Sequence, residues 1–407
     1  MSVLFVSIAF PPKFDSEGLQ VAKYFKYLSK ECNENNLPID VVTSAIPTLF
    51  MPEDGSLKAA DTGYRQKIEI VIRENKYRNF VFRKIAPQLI DRPDSKFNFF
   101  QQWKKVVSEL KEKPSAIYSR SFPTSSAVMA MKLKEFYKVP WVMHLSDPWV
   151  DDPTNKLYGK ALEINKELEN KCFEAADKIC LTSDQTIDFY AAKYPQYKNK
   201  FEFFPNVYDH VDIPEKSANP VNQKLRAVYT GGMAGVRSPE PLLKAILQLP
   251  EDARSKLEVI FSGFADRNNT AIFDKYKDNC IRFIGSKGTY KEAIQLQQTA
   301  DVLLLIDFPI KEKKLRMFFL SKLLDYMIAG RYIVATSGEG SACRQIIDGK
   351  LGKCFAEDET EELKNHFLFL LDKFEKEPTF FQIKGIDPIY DAKYNAKRLF
   401  HLFNEFI

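Results

Sequence analysis

Two stretches of the chain place basic side chains beside glycines or at a helix start, which is the chemistry of an anion site. Gly231 and Gly232 follow a strand-like run, and Arg237 comes shortly after them. Glycines let backbone amides approach a diphosphate, and an arginine can hold its oxygens through two hydrogen bonds. Lys322 lies in the first turn of a predicted helix, where the helix dipole disfavours a cation unless an anion is bound nearby. We therefore predict a phosphate site here, although helix capping by Ser238 explains part of the first loop without any ligand.

Asp325 lies one turn beyond Lys322, in a helix that is otherwise largely apolar. A carboxylate in such surroundings needs a partner, which is either a ribose diol or a basic residue in an internal salt bridge. Further along, Gly338 and Gly340 match a dinucleotide fingerprint except that Cys343 replaces its third glycine. This loop predicts amides that contact a donor sugar or phosphate, with nicotinamide binding as a distant alternative.

A third group follows another predicted strand and brings together an imidazole, a carboxylate and an indole. His144 could hydrogen-bond a sugar hydroxyl or phosphate, Asp147 could orient an acceptor hydroxyl, and Trp149 could stack on a sugar ring. We predict His144 and Asp147 as catalytic residues. The alternative is that His144 has a structural role at the end of its strand.

Gly18 marks the start of the first predicted helix, after the loop that follows the first strand. A glycine at this point allows a phosphate or sugar to approach free backbone amides. A simple turn into the helix is the alternative explanation.

Several other kinds of site lack their sequence patterns. The 6 cysteines contain no Cys-x-x-Cys pair, and the 4 histidines contain no pair at helical spacing, so we predict no metal site and reduced, mostly buried thiols. The chain also lacks a phosphate-binding loop motif, a nucleophile elbow and an Asp-x-Asp motif. No cofactor is expected.

Composition bounds the class of protein and its partners. The chain has 407 residues, of which 45% are hydrophobic and 28% charged, as in a globular protein of two or three domains. A net charge of +5 is too small for a dedicated nucleic-acid binder. Its longest apolar runs are far shorter than the ~18 residues of a membrane span, so a cytoplasmic location is expected, with the inner face of the membrane as an alternative.

These candidate residues are positioned by alternating strand and helix patterns. Runs that are apolar on both faces, separated by helix-length segments, predict parallel sheets with helical crossovers. A turn-rich stretch interrupts the pattern, and a second α/β domain is predicted to begin near residue 220. The predicted strands are Val3–Ala9, Ile39–Ser44, Ile68–Arg73, Ala116–Ser119, Trp141–Leu145 and Lys178–Thr182, then Arg226–Tyr229, Leu257–Ser262, Ile281–Ile284, Val302–Asp307 and Tyr332–Thr336.

The second half also carries clear helical periodicity, whereas one region of the first half does not. Residues 50–100 mix charge, aromatics and prolines without a period, which indicates an insertion or a substrate loop. The predicted helices are Glu240–Gln248, Tyr290–Thr299, Ser321–Ala329, Glu359–Phe374 and Tyr390–Phe406.

Taken in chain order, these features resemble the family 4 glycosyltransferases of the GT-B fold. The resemblance spans nearly the whole chain and implies an α/β protein with two doubly wound, Rossmann-like domains facing each other across a cleft. Residues 1–215 would form the acceptor side, residues 216–386 the donor side, and residues 387–407 a helix that crosses back to the first domain. The features that carry the resemblance are Leu4–Ser7 followed by Pro11, Pro12 and Gly18, then Tyr229–Gly232, Ala300–Leu304 and Lys322–Gly330.

The resemblance also implies roles for individual residues. Gly18 would lie near the donor phosphate, His144 near the transferred sugar and Asp325 on the ribose hydroxyls. Arg237 and Lys322 would hold the diphosphate. Gly285 would lie beside the base.

One position departs from the family pattern, which has two glutamates separated by seven residues. Asp325 matches the second glutamate, but Met317 stands where the first would be. The usual contact to the donor sugar is therefore in doubt.

The function implied is transfer of a sugar from a nucleotide-sugar donor to a glycan or lipid-linked acceptor, with retention of configuration and without metal, in surface polysaccharide or glycoconjugate assembly. A nucleotide-sugar epimerase and a catalytically silent nucleotide-binding protein of the same fold are the alternatives. Because such acceptors are often lipid-linked, peripheral membrane contact is considered at two surfaces. These are Lys23, Lys26 and Lys30 beside Tyr24, Phe25 and Leu28, and the aromatic group Phe97, Phe99, Phe100 and Trp103.

Overall fold

The computed structural model describes residues 1–45, 51, 53–153, 156–212, 222–285, 289–383 and 386–407. The chain forms two compact units. The first contains Met1–Asp209 and Pro388–Ile407, and the second contains His210–Asp387. The predicted boundary between residues 215 and 216 lies outside the described residues.

A sheet of 7 parallel strands forms the centre of the first unit, in the order β3-β2-β1-β4-β5-β6-β7. The order reverses direction between β1 and β4, which is where ligands bind in open parallel sheets. All four residues of β1 are buried, as expected for a strand covered by helices on both faces. The strands are β1 (Val3–Val6), β2 (Ile39–Ser44), β3 (Gln66–Ile70), β4 (Ala116–Ser121), β5 (Trp141–Leu145), β6 (Lys178–Leu181) and β7 (Phe201–Phe203).

Helices connect these strands as crossovers. The long first helix is capped by the Asp15 side chain, which accepts a hydrogen bond from the amide of Gly18. Residues 50–100, predicted as an insertion or substrate loop, contain the edge strand β3 and a short helix. The helices of this part of the chain are α1 (Ser16–Glu34), α2 (Lys76–Ile85), α3 (Asn98–Gln101), α4 (Trp103–Glu109), α5 (Ser125–Tyr137), α6 (Gly159–Ala175) and α7 (Asp184–Lys193).

The second unit repeats this plan with 6 parallel strands in the order β10-β9-β8-β11-β12-β13. Its order reverses between β8 and β11. The strands are β8 (Leu225–Thr230), β9 (Leu257–Ser262), β10 (Ile281–Gly285), β11 (Val302–Ile306), β12 (Tyr332–Thr336) and β13 (Gly352–Phe355). The helices are α8 (Glu240–Leu247), α9 (Glu251–Ser255), α10 (Arg267–Lys275), α11 (Tyr290–Gln298), α12 (Ser321–Ala329), α13 (Ala342–Ile347) and α14 (Thr360–Lys376).

The last helix, α15 (Ala392–Asn404), belongs to the first unit and packs along α1. Its buried side, which includes Leu399 and Phe403, joins the core of that unit. The guanidinium of Arg398 donates to the carbonyl of Phe203 at 2.9 Å and anchors the helix to the edge strand β7.

The predicted parallel α/β architecture is confirmed, while two short strands were missed. β7 has three residues and β13 has four, and both lie at sheet edges, where they are too short to carry a hydrophobic pattern. All 6 cysteines are free and buried, as predicted. Among the described residues, we find no helix with both the length and the apolar character needed to span a membrane.

Candidate functional site

The second unit brings the glycine-rich loop and the start of α12 together at the point where its strand order reverses. β8 and β11 are neighbours in the sheet, so the segments that follow them lie at the same edge. The Tyr326 hydroxyl ties α12 to this edge, because it accepts from the Thr230 amide and donates to the Leu304 carbonyl, each at 3.0 Å.

Lys322 lies directly against the glycine loop. Its ammonium donates to the hydroxyl of Tyr229 at 2.7 Å and lies 4.2 Å from the centre of the tyrosine ring. Gly231, with φ of +128°, has a backbone conformation that residues with side chains rarely adopt, and a Cβ there would collide with the Lys322 ammonium. The glycine therefore makes the room that Lys322 occupies.

Arg237 reaches back to the same loop. Its guanidinium donates to the carbonyl of Gly232 at 3.3 Å and lies 4.2 Å from the ring centre of Phe308. Its Nε atom is buried and has no hydrogen-bond partner among the described residues. The structure thus brings together four predicted phosphate ligands, Gly231, Gly232, Arg237 and Lys322.

The electrostatics of this cluster favour the binding of an anion. In the described part of the chain, Arg237 and Lys322 donate to a carbonyl and a hydroxyl, and the Asp325 carboxylate acts on Lys322 only as a nearby charge that opposes the fall of its pKa. Burial and the neighbouring Arg237 together hold the pKa of Lys322 well below its ordinary value. In addition, α12 begins after Leu320, whose apolar side chain cannot cap the first amides of the helix. A bound anion would satisfy these amides and the two cations at once.

Asp325 lies one turn further along α12 and is buried. One of its contacts is with a hydroxyl, since Tyr290 of α11 donates to Oδ1 at 2.7 Å. The ribose diol and the internal salt bridge both remain predictions for this carboxylate. Met317, in the position of the family's first glutamate, is also buried, with 1% of its surface exposed.

The second glycine loop lines a cavity of about 220 Å³ at the ends of β11, β12 and β13. A Cβ on Gly338 would come within 2.8 Å of the Arg316 guanidinium carbon, and one on Gly340 within 2.7 Å of the Lys313 side chain. Arg316 itself donates to the carbonyls of Ile310 and Glu339 at 2.7 and 2.6 Å. The glycines make room for basic side chains of the β11–α12 loop.

Gly285 ends β10 with φ of +69°, and a Cβ placed on it would meet no atom of the described residues within 4 Å. Its carbonyl accepts from the Gly263 amide at 3.0 Å. Residues 286–288 lie outside the described residues, so the place of Gly285 beside a base stays a prediction.

In the first unit, the backbone amide of Gly18 is hydrogen-bonded within the protein. Its amide donates to the Asp15 carboxylate at 2.6 Å, and a Cβ would collide with the carbonyl of Lys13. The prediction of a free amide at this position is wrong, because the helix cap already occupies it. Gly18 is explained by the tight turn into α1.

His144 also requires a correction. It is completely buried in β5, where Nδ1 is hydrogen-bonded to the Tyr118 hydroxyl at 2.8 Å and Nε2 to the Phe204 carbonyl at 3.1 Å. Burial, reinforced by the charge of Arg120, holds its pKa well below the ordinary value, so the ring is neutral. Because both ring nitrogens are hydrogen-bonded within the protein, neither is available to a sugar. The role of His144 is therefore structural.

Asp147, by contrast, has the properties of an acid or base. It is half-buried at the end of β5, and burial together with the charges of Glu17 and Asp152 raises its pKa to about 7. Glu17 in turn forms an ion pair with the buried Arg120, with Nε and Oε1 3.0 Å apart. A carboxyl that titrates near neutral pH can both accept and donate a proton.

Trp149 is nearly fully buried and donates its indole N–H to the Asn165 side chain at 2.8 Å. It lines a cavity of about 240 Å³ in the first unit together with Asp15, Lys96 and Thr124. This cavity lies beside the segments that follow β1 and β4, where the order of this sheet reverses.

The two surfaces considered for membrane contact belong to the core. On α1, Tyr24, Phe25 and Leu28 are buried, and Lys26 pairs with Asp209 at 2.7 Å. The aromatic group is also packed inward, since Phe99 has no exposed surface. The sequence pattern was amphipathic, but the apolar side faces the protein.

The comparisons with known proteins agree on the architecture. No protein-family model matches the chain. An uncharacterised glycosyltransferase of Methanocaldococcus jannaschii is 24% identical over 218 residues, which cover 51% of this chain and 53% of that protein. The chain thus matches about half the length of this curated relative.

Solved structures match over the whole chain. Anabaena HepE in complex with UDP-glucose has a TM-score of 0.61 at 14% identity, over 100% of this chain and 97% of that chain. A glycosyltransferase from Rickettsia africae has a TM-score of 0.65 at 10% identity, with 100% and 98% coverage. The apo form of the lipopolysaccharide outer core galactosyltransferase WaaB has a TM-score of 0.61 at 14% identity, with complete coverage of both chains. The fold is therefore that of the GT-B glycosyltransferases.

Two contributors to the site were not singled out from the sequence. Tyr229 supplies the hydroxyl and ring that hold Lys322, and Phe308 supplies the ring under Arg237. Tyr229 ends a strand immediately before the glycines, and this position is the signal that marks it. Phe308 is far from Arg237 in sequence and only the sheet brings it close.

Proposed function

We propose that this protein is a glycosyltransferase that takes a sugar from a nucleoside diphosphate sugar. The observation that carries the proposal is the pair of cations Arg237 and Lys322, which lie at a switch point of a parallel sheet and donate to a carbonyl and a hydroxyl in the described residues. A diphosphate supplies negative charge to both. The GT-B fold, and the UDP and UDP-glucose bound to HepE, support a nucleotide-sugar donor.

Arg237, Lys322 and the first amides of α12 would stabilise the diphosphate as it leaves the sugar. Donors that are already in place act most strongly where charge develops in the transition state, and no metal is needed in this account. Retention of configuration follows from the resemblance to family 4, with the acceptor hydroxyl attacking the face that the diphosphate leaves. In the first unit, Asp147, whose pKa burial raises to about 7, is proposed separately as a residue that orients an acceptor hydroxyl.

The first test is a thermal unfolding panel of the full chain with UDP, GDP, ADP, CMP and NAD, since a ligand that binds only the native state raises its apparent stability. We expect a selective shift with one nucleoside diphosphate. A shift with NAD alone would instead favour the dehydrogenase alternative.

The second test follows turnover of the matching nucleotide sugar, with glycan and lipid-linked acceptors offered in turn. The proposal expects release of the nucleoside diphosphate only when an acceptor is glycosylated. Conversion of the donor into an isomer without an acceptor would identify an epimerase.

Met317 favours one second candidate, a nucleotide-binding protein without turnover. A buried thioether cannot accept strong hydrogen bonds from sugar hydroxyls as a glutamate does. Nucleotide binding together with an absence of donor turnover, in wild type and in Met317→Glu alike, would support this candidate.

A further inference from the structure

The loop that follows β5 leaves one side chain partly accessible. Residues 141–150 are all buried except Asp147, which is half-buried. The chain is fixed just before this residue, because the amide of Ser146 donates to the carbonyl of Ser121 and the carbonyl of Ser146 accepts from the Thr182 hydroxyl, each at 2.9 Å. The place of the Asp147 carboxyl therefore depends on the contacts that hold the loop after it.

Those contacts converge on Glu169, a carboxylate of α6 that has no exposed surface. Its Oε2 accepts from the amide of Val150 at 2.9 Å and from the hydroxyl of Tyr190 at 3.2 Å. The same hydroxyl accepts from the amide of Trp149 at 3.0 Å. One buried carboxylate thus holds two consecutive amides of the loop, the first through a phenol and the second directly.

The helix α6 contacts the loop again one turn earlier. Asn165 accepts from the indole N–H of Trp149 at 2.8 Å, and residues four apart lie on the same face of a helix. On the other side of Glu169, Oε1 accepts from the Lys193 ammonium and from the Tyr194 hydroxyl, the latter at 2.8 Å. The carboxylate therefore has four donors within the protein, and a buried polar network that is satisfied in this way is rigid.

We propose that Glu169 is a positioning residue, which fixes the loop after β5 and thereby the place at which the Asp147 carboxyl meets an acceptor hydroxyl. The inference rests on the proposed function, in which Asp147 orients that hydroxyl. Because Glu169 is buried, it acts through the backbone of Trp149 and Val150. A displacement of about 1 Å at a reacting group can lower a rate about 100-fold, and such a support prevents a loss of this size.

The pKa of Asp147 reports on this position. Burial and the charges of Glu17 and Asp152 raise it to about 7, while the charge of Arg120 opposes the rise. A loop that relaxes toward solvent is less buried, so the pKa of Asp147 should then fall toward its ordinary value of 3.8. A substitution that lowers only the stability of the fold would leave this pKa unchanged.

The test compares two substitutions in the full chain that each remove one hydroxyl from Glu169. Tyr190→Phe also removes the acceptor of the Trp149 amide. Tyr194→Phe, the matched control, leaves that hydrogen bond in place. NMR titration of isotope-labelled aspartate, with Asp147→Asn to identify the resonance, should show a lowered pKa of Asp147 in Tyr190→Phe and a pKa of about 7 in Tyr194→Phe.

Transfer to an acceptor provides a second readout. The kcat of Tyr190→Phe should fall about 10- to 100-fold, while KM for the donor stays the same because the donor site is proposed on the second unit. Tyr194→Phe should keep the kcat of wild type. Glu169→Gln, whose side-chain oxygen can still accept from the Val150 amide, should retain more activity than Glu169→Ala.

Two results would overturn the proposal. One is an equal pKa of Asp147 in Tyr190→Phe and Tyr194→Phe, and the other is an equal kcat in these two variants. Tyr190→Phe removes a single oxygen, so the comparison stands even if Glu169→Ala does not fold. The titration needs no turnover, so a wild type that transfers no sugar would contradict the proposed function while the position of Asp147 is still tested.

Discussion

Each unit of the molecule places a cation beside the switch point of its sheet, and the buried Arg120 and the half-buried Lys322 differ in what lies opposite them. In the first unit, Arg120 has no exposed surface and is paired with Glu17 at 3.0 Å. In the second, the Lys322 ammonium donates to a phenol, the Tyr229 hydroxyl 2.7 Å away, and Asp325 acts on it only as a nearby charge. A buried cation in a direct ion pair is a structural element, whereas one hydrogen-bonded to a neutral group can still bind an anionic ligand.

The largest effect is expected when the carboxylate that pairs with Arg120 is removed. Glu17→Gln leaves a buried guanidinium without its carboxylate and should lower the free energy of unfolding by about 3 kcal/mol. Urea unfolding of the full chain measures this loss, with Glu163→Gln on the exposed side of α6 as the control. A loss no larger than that of the control would contradict the structural role of the pair.

Gly231→Ala tests the fit between the glycine loop and Lys322. The positive φ and the collision of a Cβ with the ammonium should together cost about 2 to 3 kcal/mol of stability and weaken nucleotide binding. Gly349→Ala is the matched control, since this glycine of the same unit also has a positive φ but a Cβ on it meets nothing within 4 Å. Equal effects at the two glycines would show that Lys322 does not depend on this space.

Asp147→Asn extends the comparison from the two cations to a carboxyl group. The pKa of Asp147 rises from 3.8 to about 7 on folding, so the folded state binds the extra proton and stability falls as pH rises through this window. Near pH 8 the Asn variant should be more stable than wild type by on the order of 2 kcal/mol, after discounting for partial exposure, and near pH 3 the two should agree. Thermal unfolding at the two pH values checks this, and Asp188→Asn should change neither.

Lys322→Gln should have the smallest effect, and of opposite sign to Glu17→Gln. Because folding lowers the pKa of Lys322, the charged form destabilises the ligand-free protein at neutral pH, and stability rises with pH toward the ordinary value of 10.5. The variant should gain about 1 kcal/mol near pH 7 and less near pH 10. If urea unfolding finds a loss of stability instead, the cation is a structural element like Arg120.

The predictable part of the site is the part that depends on local chemistry. Glycines after a strand and a lysine in the first turn of a helix are visible in a few residues, and they predicted Gly231 and Lys322, which the structure places side by side. The role of His144 was not visible, because its partners Tyr118 and Phe204 lie 26 and 60 residues away. Likewise, an amphipathic pattern does not say which side faces water, and the apolar residues of α1 that were considered for membrane contact are buried.

The fold followed from the same local signals, since runs such as Val302–Ile306 are buried on both faces and read clearly as strands. The short edge strands β7 and β13 were not predictable from such signals. They are defined by pairing with a neighbouring strand and not by a pattern in their own sequence.

The most direct test of the central claim is titration of inorganic pyrophosphate into wild type and Lys322→Gln by calorimetry, which needs no knowledge of the base or sugar. Charge-assisted hydrogen bonds are worth about 1.5 to 3 kcal/mol, so the variant should bind at least about 10-fold more weakly. Lys350→Gln, an exposed cation of the same unit, should bind as wild type does. Equal affinity in wild type and Lys322→Gln would contradict the assignment of this cluster as the diphosphate site.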